Sequence, residues 1–291
     1  MGPCTPDYDS GSSGGAGVDI FRRAWVWGLI GFAAIMVVYV VLALLGWPGD
    51  SDSCTFAGGN CYCEAFPAAD VVVLAKQPIN TLSALFPVIA GLIILAITDR
   101  DRAATVPGPN PMATGRFHAL LYGGLVVFLG PGSMFFHGSL THYGGWLDNF
   151  SMVLYVTFIL LYDAARIWRW DDRIGTFAAV FVTINVALGL LTWFADGSGT
   201  ILFAILAGVA IVTQAVILLA HPGGIDRRFV PWLLAGLASF GIATIIWALS
   251  ATGRPLCDPN SLLQGHAVWH LLAMAVTPFC IFWYLRGETR A

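Results

Sequence analysis

Eight long apolar runs divide the chain and constrain its fold more than any other feature. Each is about as long as the ~20 residues that an α-helix needs to cross a bilayer. Of the 291 residues, 57% are hydrophobic and only 11% are charged, whereas soluble domains carry about 25% charged residues. The sequence therefore predicts an all-α, polytopic membrane protein. The predicted spans are Ala24–Gly46, Ile79–Thr98, Phe117–His137, Trp146–Trp168, Gly175–Phe194, Thr200–Ala220, Val230–Leu249 and Leu262–Leu285.

The Lys and Arg residues fall almost entirely on one side of these spans. With the N-terminus in the cytoplasm, only Lys76 and Arg254 of the 14 lie in outer loops. Because cytoplasmic loops carry an excess of Lys and Arg, both termini are expected in the cytoplasm. Residues 1–23 are rich in Gly, Ser and Asp and are predicted to be a disordered tail. A net charge of −3 gives no reason to expect nucleic acid, and no protein partner is predicted.

Five polar residues fall at the outer ends of the third, fourth and eighth runs. Ser133 and His137 are four positions apart in the third run, and Asp148 opens the fourth. His266 and His270, also four apart, stand near the start of the eighth. Ionisable residues at membrane depth are costly and usually face an interior site. Three imidazoles at one level suit Zn²⁺, which takes three protein ligands in catalytic sites.

Each of these residues also has a simpler interpretation when it is taken alone. A single membrane histidine is more often a hydrogen-bonding residue than a ligand. A helical serine usually bonds the carbonyl four residues earlier. A carboxylate at a helix start is often a cap, aided by the helix dipole. The common depth and the paired spacing favour a shared metal site over these separate interpretations.

The cysteines are distributed in agreement with this orientation. Cys54, Cys61, Cys63 and Cys257 all fall on the predicted outer side, where disulfides persist. We predict one bridge between Cys257 and either Cys61 or Cys63. A bridge within the first outer loop, or free thiols, is the alternative, because connectivity does not follow from sequence.

The motif Ser133-x-x-x-His137, Asp148, His266-x-x-x-His270 resembles the signature of the alkaline ceramidase family. That family belongs to a superfamily of seven-helix membrane hydrolases and receptors. The resemblance runs from about Cys61 to Arg286, including Cys63-Glu64 and residues 79–83. It implies a seven-helix ceramidase-like domain over residues 47–291, preceded by one additional transmembrane helix over residues 24–46, unless that first run is a signal sequence that is removed.

The resemblance also implies roles for the five residues. His137, His266 and His270 would bind zinc, and Ser133 and Asp148 would act beside the metal. The implied reaction is zinc-dependent hydrolysis of ceramide, a membrane lipid, to a sphingoid base and a fatty acid. Hydrolysis of an ester lipid, or a metal-containing lipid receptor without turnover, is the alternative, because related proteins share the motif.

The chain departs from the animal enzymes of this family before the second run. It lacks most of the acidic calcium-binding cluster that those enzymes carry there. Only Glu64 has a clear counterpart, and Cys61, Tyr62 and Gln77 stand where carboxylates or tryptophan are expected. Ca²⁺ is therefore a doubtful cofactor. Glu64 is predicted to bind a second cation or to orient the outer loop.

One further carboxylate lies deep in the fourth run. Asp163 is near its inner end, three residues before Arg166. We predict a local ion pair between the two, or snorkelling of the charged side chains to the interface.

Overall fold

The computed structural model describes residues 23–49, 62–65, 73–104, 108, 110–195, 198–220 and 224–289. These ranges are helical, and their only β contacts are isolated bridges. A 3₁₀ turn covers Arg227–Phe229, and a π-helical segment covers Leu272–Val276. The α-helices are α1 (Ala24–Leu44), α2 (Pro78–Ser83), α3 (Leu85–Arg102), α4 (Phe117–Ser139), α5 (His142–Ile167), α6 (Ile174–Phe194), α7 (Ser198–Ala220), α8 (Val230–Leu249), α9 (Gly265–Leu271) and α10 (Thr277–Leu285).

Eight helical segments within the described ranges are long and apolar enough to cross a membrane. The second consists of α2 and α3, and the last consists of α9, the π-helical segment and α10. The predicted all-α polytopic architecture is thus confirmed. The predicted disordered tail lies outside the described residues, apart from Arg23.

The fourth span begins earlier than predicted, and this changes the position of Asp148. Helix α5 starts at His142 rather than at Trp146, and the Thr141 hydroxyl caps it by accepting a hydrogen bond from the Gly144 N–H at 3.3 Å. Asp148 therefore lies in the second turn of α5. It is not a helix cap, and its buried carboxylate is available for another role.

Helix α4 forms the centre of the bundle and packs against both α3 and α5. Two glycines on either side of Pro131 permit this close approach. A Cβ atom on Gly132 would lie 2.7 Å from the Ser151 hydroxyl of α5, and one on Gly130 would lie 2.6 Å from the Ala84 carbonyl. Larger residues here would force the helices apart. The glycines thus bring the polar end of α4 against α2 and α5.

The last span is interrupted by the π-helical segment. Pro278 has no N–H to donate to the preceding turn, which favours a wider turn there. The Leu272 carbonyl accepts the Thr277 backbone N–H across this wider turn. It also accepts hydroxyl hydrogen bonds from Ser239 at 2.9 Å and Thr277 at 2.8 Å. Neighbouring hydroxyls thus add hydrogen bonds to an irregular backbone turn within apolar surroundings.

Helix α1 packs against α3 and α4. Near its end, the Tyr39 hydroxyl donates to the Leu74 carbonyl at 2.8 Å. The Trp47 indole donates to the Val73 carbonyl at 3.1 Å, and the Tyr39 ring lies 5.4 Å from that of Phe135. These contacts hold α1 against the end of α4 that carries the predicted metal ligands. Most of its other side chains are exposed, as expected for a helix in contact with lipid.

The other end of α5 differs from the prediction. Asp163 accepts a hydrogen bond from the Gln214 amide of α7 at 2.7 Å. Arg166 pairs instead with Asp171 at 3.3 Å and with Glu288 at 3.2 Å. The predicted ion pair between Asp163 and Arg166 is therefore wrong, because the turn after α5 and the C-terminal segment bring other carboxylates to Arg166.

Candidate metal centre

Three histidines from two distant parts of the chain meet between α4 and α9. One potential ligand atom from each of His137, His266 and His270 lies within 4.8 Å of the others. All three imidazoles are buried, and their ring centroids are 4.6 to 5.2 Å apart. This group could hold a metal ion.

Helix α2 and its N-cap residue Gln77 orient two of these rings through the nitrogens that face away from the cluster. The Gln77 side-chain oxygen accepts from His137 Nδ1 at 2.7 Å. Its amide nitrogen donates to the carbonyls of Tyr62 and Glu64, which fixes the direction of the amide. A metal-binding histidine almost always donates its other N–H in this way, which leaves the remaining nitrogen unprotonated for the metal.

Ser83 orients the His270 ring through Nδ1, as Gln77 orients the His137 ring. Its hydroxyl lies 2.7 Å from His270 Nδ1 and donates its only proton to the Asn80 carbonyl at 2.9 Å. Ser83 can therefore only accept from the ring, so Nδ1 carries the proton and Nε2 is free of it. The preferred tautomer again turns a lone pair towards the cluster.

The remaining imidazole nitrogens give an independent test of whether a metal fits. His137 Nε2 and both nitrogens of His266 are buried and have no hydrogen-bond partner among the residues that the structure describes. Unpartnered buried polar atoms are costly and rare in folded proteins. With one nitrogen from each of the three rings, such imidazole donors match the ligands that zinc and similar transition metals bind.

Ser133 and Asp148 border the histidines. The Ser133 hydroxyl lies 3.0 Å from His270 Nε2, the nitrogen that would face a metal. The Asp148 carboxylate interacts with this same hydroxyl, and both side chains are buried. The structure thus brings all five predicted site residues together, with an acid and a hydroxyl beside the imidazoles.

Tyr62 covers the cluster from the outside. Its ring lies 3.7 Å from that of His266 and 5.1 Å from that of His137. Burial raises the pKa of the Tyr62 phenol above its ordinary range, and the nearby Asp148 carboxylate raises it further. The phenol therefore stays neutral and can only stack or hydrogen-bond at this position.

A disulfide holds Tyr62 in place. The neighbouring Cys63 is bonded to Cys257, 194 positions away. Tyr62 itself forms a β-bridge with Ala251, in the same connection between α8 and α9. This bridge is one of the two pairings predicted for Cys257, and Cys61 lies outside the described residues. The connection that leads into the His266 helix is thereby tied to the segment before α2.

Glu64 caps α2. Its two carboxylate oxygens accept from the N–H groups of Ile79 at 2.7 Å and Asn80 at 2.8 Å. Burial raises the pKa of Glu64, and these two backbone donors oppose that rise. Both oxygens thus bind backbone at a helix N-terminus, which connects the segment before α2 to that helix. The two roles predicted for Glu64, orienting the outer loop and binding a second cation, stay predictions.

Comparison with known protein families agrees with this geometry. The family model described as Ceramidase matches residues 62–289. The chain belongs to the ceramidase family. The match begins at Tyr62, so that α1 precedes it, and it includes α2 with all five site residues. No curated protein matches the sequence. Membership of the ceramidase family implies a hydrolase of the ceramide amide bond in a membrane.

Several residues that contact the histidines in this ceramidase-family site had no role predicted from the sequence. Tyr62 and Gln77 were noted only as departures from an acidic cluster, and Ser83 only as part of the resemblance. One signal could have found two of them. Gln77, Asn80 and Ser83 recur every three residues where an apolar run begins, which places them on one face of a helix at the level of the histidines.

Proposed function

We propose that the protein is a zinc-dependent intramembrane amidase that hydrolyses ceramide to a sphingoid base and a fatty acid. The observation that carries this proposal is the convergence of three buried imidazoles within 4.8 Å in a chain of the ceramidase family. His137, His266 and His270 would hold the ion. When bound, zinc supplies a lowered pKa for the attacking water and polarises the amide carbonyl.

Asp148 is the proposed general base and acid. Its carboxylate accepts a proton from the water that attacks the amide carbon and then delivers that proton to the leaving amine. Asp148 lies beside Ser133, and its charge acts on the nearby Tyr62 phenol. This position next to the candidate metal centre supports the role. Burial of an unpaired charge is costly. A role in the reaction therefore explains a carboxylate buried beside the proposed metal ligands better than a contribution to stability does.

Ser133 is the proposed donor to the oxyanion that develops on the amide oxygen. Loss of one such donor costs roughly 2.7–4 kcal/mol of transition-state stabilisation in other amide hydrolases. A nucleophilic role for Ser133 has less support, because only the metal ligands and Asp148 border its hydroxyl and could act as its base.

An apolar cavity next to the histidines supports a lipid substrate. It has a volume of about 80 Å³ and lies among α4, α5, α7, α8 and the last span. Trp269 and Ala273, on either side of His270 in the sequence, contribute to its wall, and Gln214 lies at its margin. We infer that an aliphatic chain occupies this space while the amide lies at the histidines. The substrate would enter sideways from the bilayer.

The excess of Arg on one side of the spans supports an orientation with both termini in the cytoplasm. The histidine centre would then face the outer side of the membrane. Arg254, in the connection that carries Cys257, is one of only two basic residues assigned to that side.

The proposal is tested with the full chain purified in detergent. Fatty acid release is measured from ceramide and from an ester lipid with the same acyl chain, with and without a chelator. We expect release from ceramide, its loss on chelation and its return when zinc is added. Release from the ester lipid alone would instead identify an ester hydrolase. Saturable ceramide binding without turnover would identify a receptor, and either result contradicts the amidase.

A further inference from the structure

A second polar site lies at the end of α5 that is remote from the histidines. A cavity of about 470 Å³ is lined there by Asp163, Arg166, Asp171 and Glu288, among others. Asp163 is fifteen residues beyond Asp148 on the same helix, which corresponds to about 22 Å at ~1.5 Å per residue. The cavity is therefore separate from the metal centre.

Asp163 is the least satisfied group in this cavity. Its side chain is buried, with only 1% of its surface exposed. One carboxylate oxygen accepts from Gln214, and the other has no hydrogen-bond partner in the described part of the chain. A buried carboxylate whose only partner is a neutral amide is costly, and requires either a proton or a positive charge nearby.

Arg166, the partly buried arginine of this cavity, pairs with carboxylates other than Asp163. The Arg166 guanidinium is shared between Asp171 and Glu288, and Asp163 and Glu288 repel each other. Burial raises the pKa of Glu288 to about 7, although Arg166 opposes the rise. The exposed side chains of Arg169 and Asp172 also line the cavity. Its four carboxylates therefore face two guanidinium groups, which leaves two negative charges without a counter-charge.

We propose that this cavity binds a hard divalent cation, with the Asp163 and Glu288 carboxylates as its protein ligands and water completing its coordination. Carboxylate and water oxygens are the ligands that suit Mg²⁺, Mn²⁺ and Ca²⁺. One or two carboxylates with several waters is the usual coordination of Mg²⁺ in proteins. At about 30 Å³ per water, the cavity has room for a hydrated ion, and a charge of +2 balances the two excess negative charges.

Such an ion would join three parts of the chain. Asp163 belongs to α5, and its partner Gln214 belongs to α7. Glu288 follows α10 and forms a β-bridge with Ile225, in the connection between α7 and α8. Binding at this point stabilises the folded state, and the stabilisation grows with the logarithm of the ion concentration above the dissociation constant. The proposal does not depend on the reaction at the histidines.

The experiment uses Mn²⁺ as the probe, because free Mn²⁺ has an electron paramagnetic resonance signal that is lost on binding. The full chain is first loaded with zinc to occupy the histidines and is then titrated with Mn²⁺. We expect one Mn²⁺ per chain, displaced by Mg²⁺. Asp163→Asn is expected to weaken binding about tenfold or more, since it removes one of two carboxylate ligands. The matched control Asp99→Asn removes a buried carboxylate paired with Arg102 at 2.7 Å and should leave binding unchanged.

A second variant keeps the test decisive if Asp163→Asn folds poorly. Glu288→Gln should weaken Mn²⁺ binding in the same way, and His137→Ala should leave it unchanged even if ceramide hydrolysis is lost. Absence of saturable Mn²⁺ binding at millimolar concentration would overturn the proposal. So would unchanged binding in both carboxylate variants. A pH-dependent stability without ion binding would mean that the carboxylates hold protons instead.

Discussion

Gln77 accepts the Nδ1 proton of His137 at 2.7 Å, although 60 positions separate the two residues. Gln77 is the N-cap residue of α2, and Ser83, the last residue of that helix, contacts His270 Nδ1 at the same distance. One short helix therefore sets the tautomer of a histidine from α4 and of another from α9. Glu64 caps that helix, so the orientation of two candidate ligands depends on residues that would not touch the metal.

Replacing Gln77 should weaken metal binding without removing a ligand. Gln77→Ala is expected to lower zinc affinity by about 10–100-fold. Residues that accept a hydrogen bond from the other imidazole nitrogen of a metal-binding histidine typically contribute that much to the affinity. Zinc affinity is measured by competition with a chromophoric chelator. Gln77→Glu, which keeps an acceptor, should retain most of the affinity. Asn185→Ala removes another buried amide, one that accepts from Thr157 at 2.8 Å, and unchanged affinity there is the control. Equal losses in all three variants would contradict the positioning role.

Removal of a proposed ligand should be far more severe. His137→Ala is expected to abolish stoichiometric zinc and ceramide hydrolysis together, because zinc in catalytic sites needs three protein ligands. Metal content per chain and fatty acid release are measured on the same preparation. His142→Ala is the matched control, since its ring packs on Trp193 with centroids 4.7 Å apart and takes no part in the cluster. Full activity in His137→Ala would rule out the proposed centre.

Asp148 should be separable from the ligands by its effect on turnover. Asp148→Asn keeps the size of the side chain but cannot accept the proton. We expect unchanged zinc content and hydrolysis reduced by about 10²–10⁴-fold, the usual contribution of general acid–base catalysis. Asp99→Asn should leave both quantities unchanged. Loss of zinc in Asp148→Asn would make this carboxylate a ligand and would contradict the proposed role.

Much of the fold was predictable because apolar run length and charge distribution are local properties of the sequence. They gave the eight spans and placed Ser133, His137, Asp148, His266 and His270 at one level. The partner of Asp163 was not predictable in this way. Which face α7 turns towards α5 depends on tertiary packing, and Gln214 is 51 positions away. The interruption after α9 was also missed, since it depends on the hydroxyls that reach the Leu272 carbonyl.

The disulfide should support both stability and the site. Cys257→Ser is expected to lower the free energy of unfolding by about 2–4 kcal/mol, a typical contribution of a disulfide. It should also reduce hydrolysis, because Tyr62 next to Cys63 would no longer be held on His266. Thermal unfolding and mobility on non-reducing gels are measured. Cys280 is a buried free thiol, so Cys280→Ser should leave mobility unchanged. Identical mobility of the wild type with and without reductant would contradict the bridge.

Glu288 should make stability depend on pH when divalent cations are chelated. Burial raises its pKa from 4.5 to about 7, so the folded protein holds this proton more tightly than the unfolded chain does. The stabilisation is complete below pH 4.5 and is lost as pH rises through about 7. Thermal midpoints of the wild type should therefore fall across this window relative to Glu288→Gln. Asp258→Asn, at an exposed loop position, should behave as the wild type. A parallel pH profile for Glu288→Gln and the wild type would show that Glu288 titrates as it does in the unfolded chain.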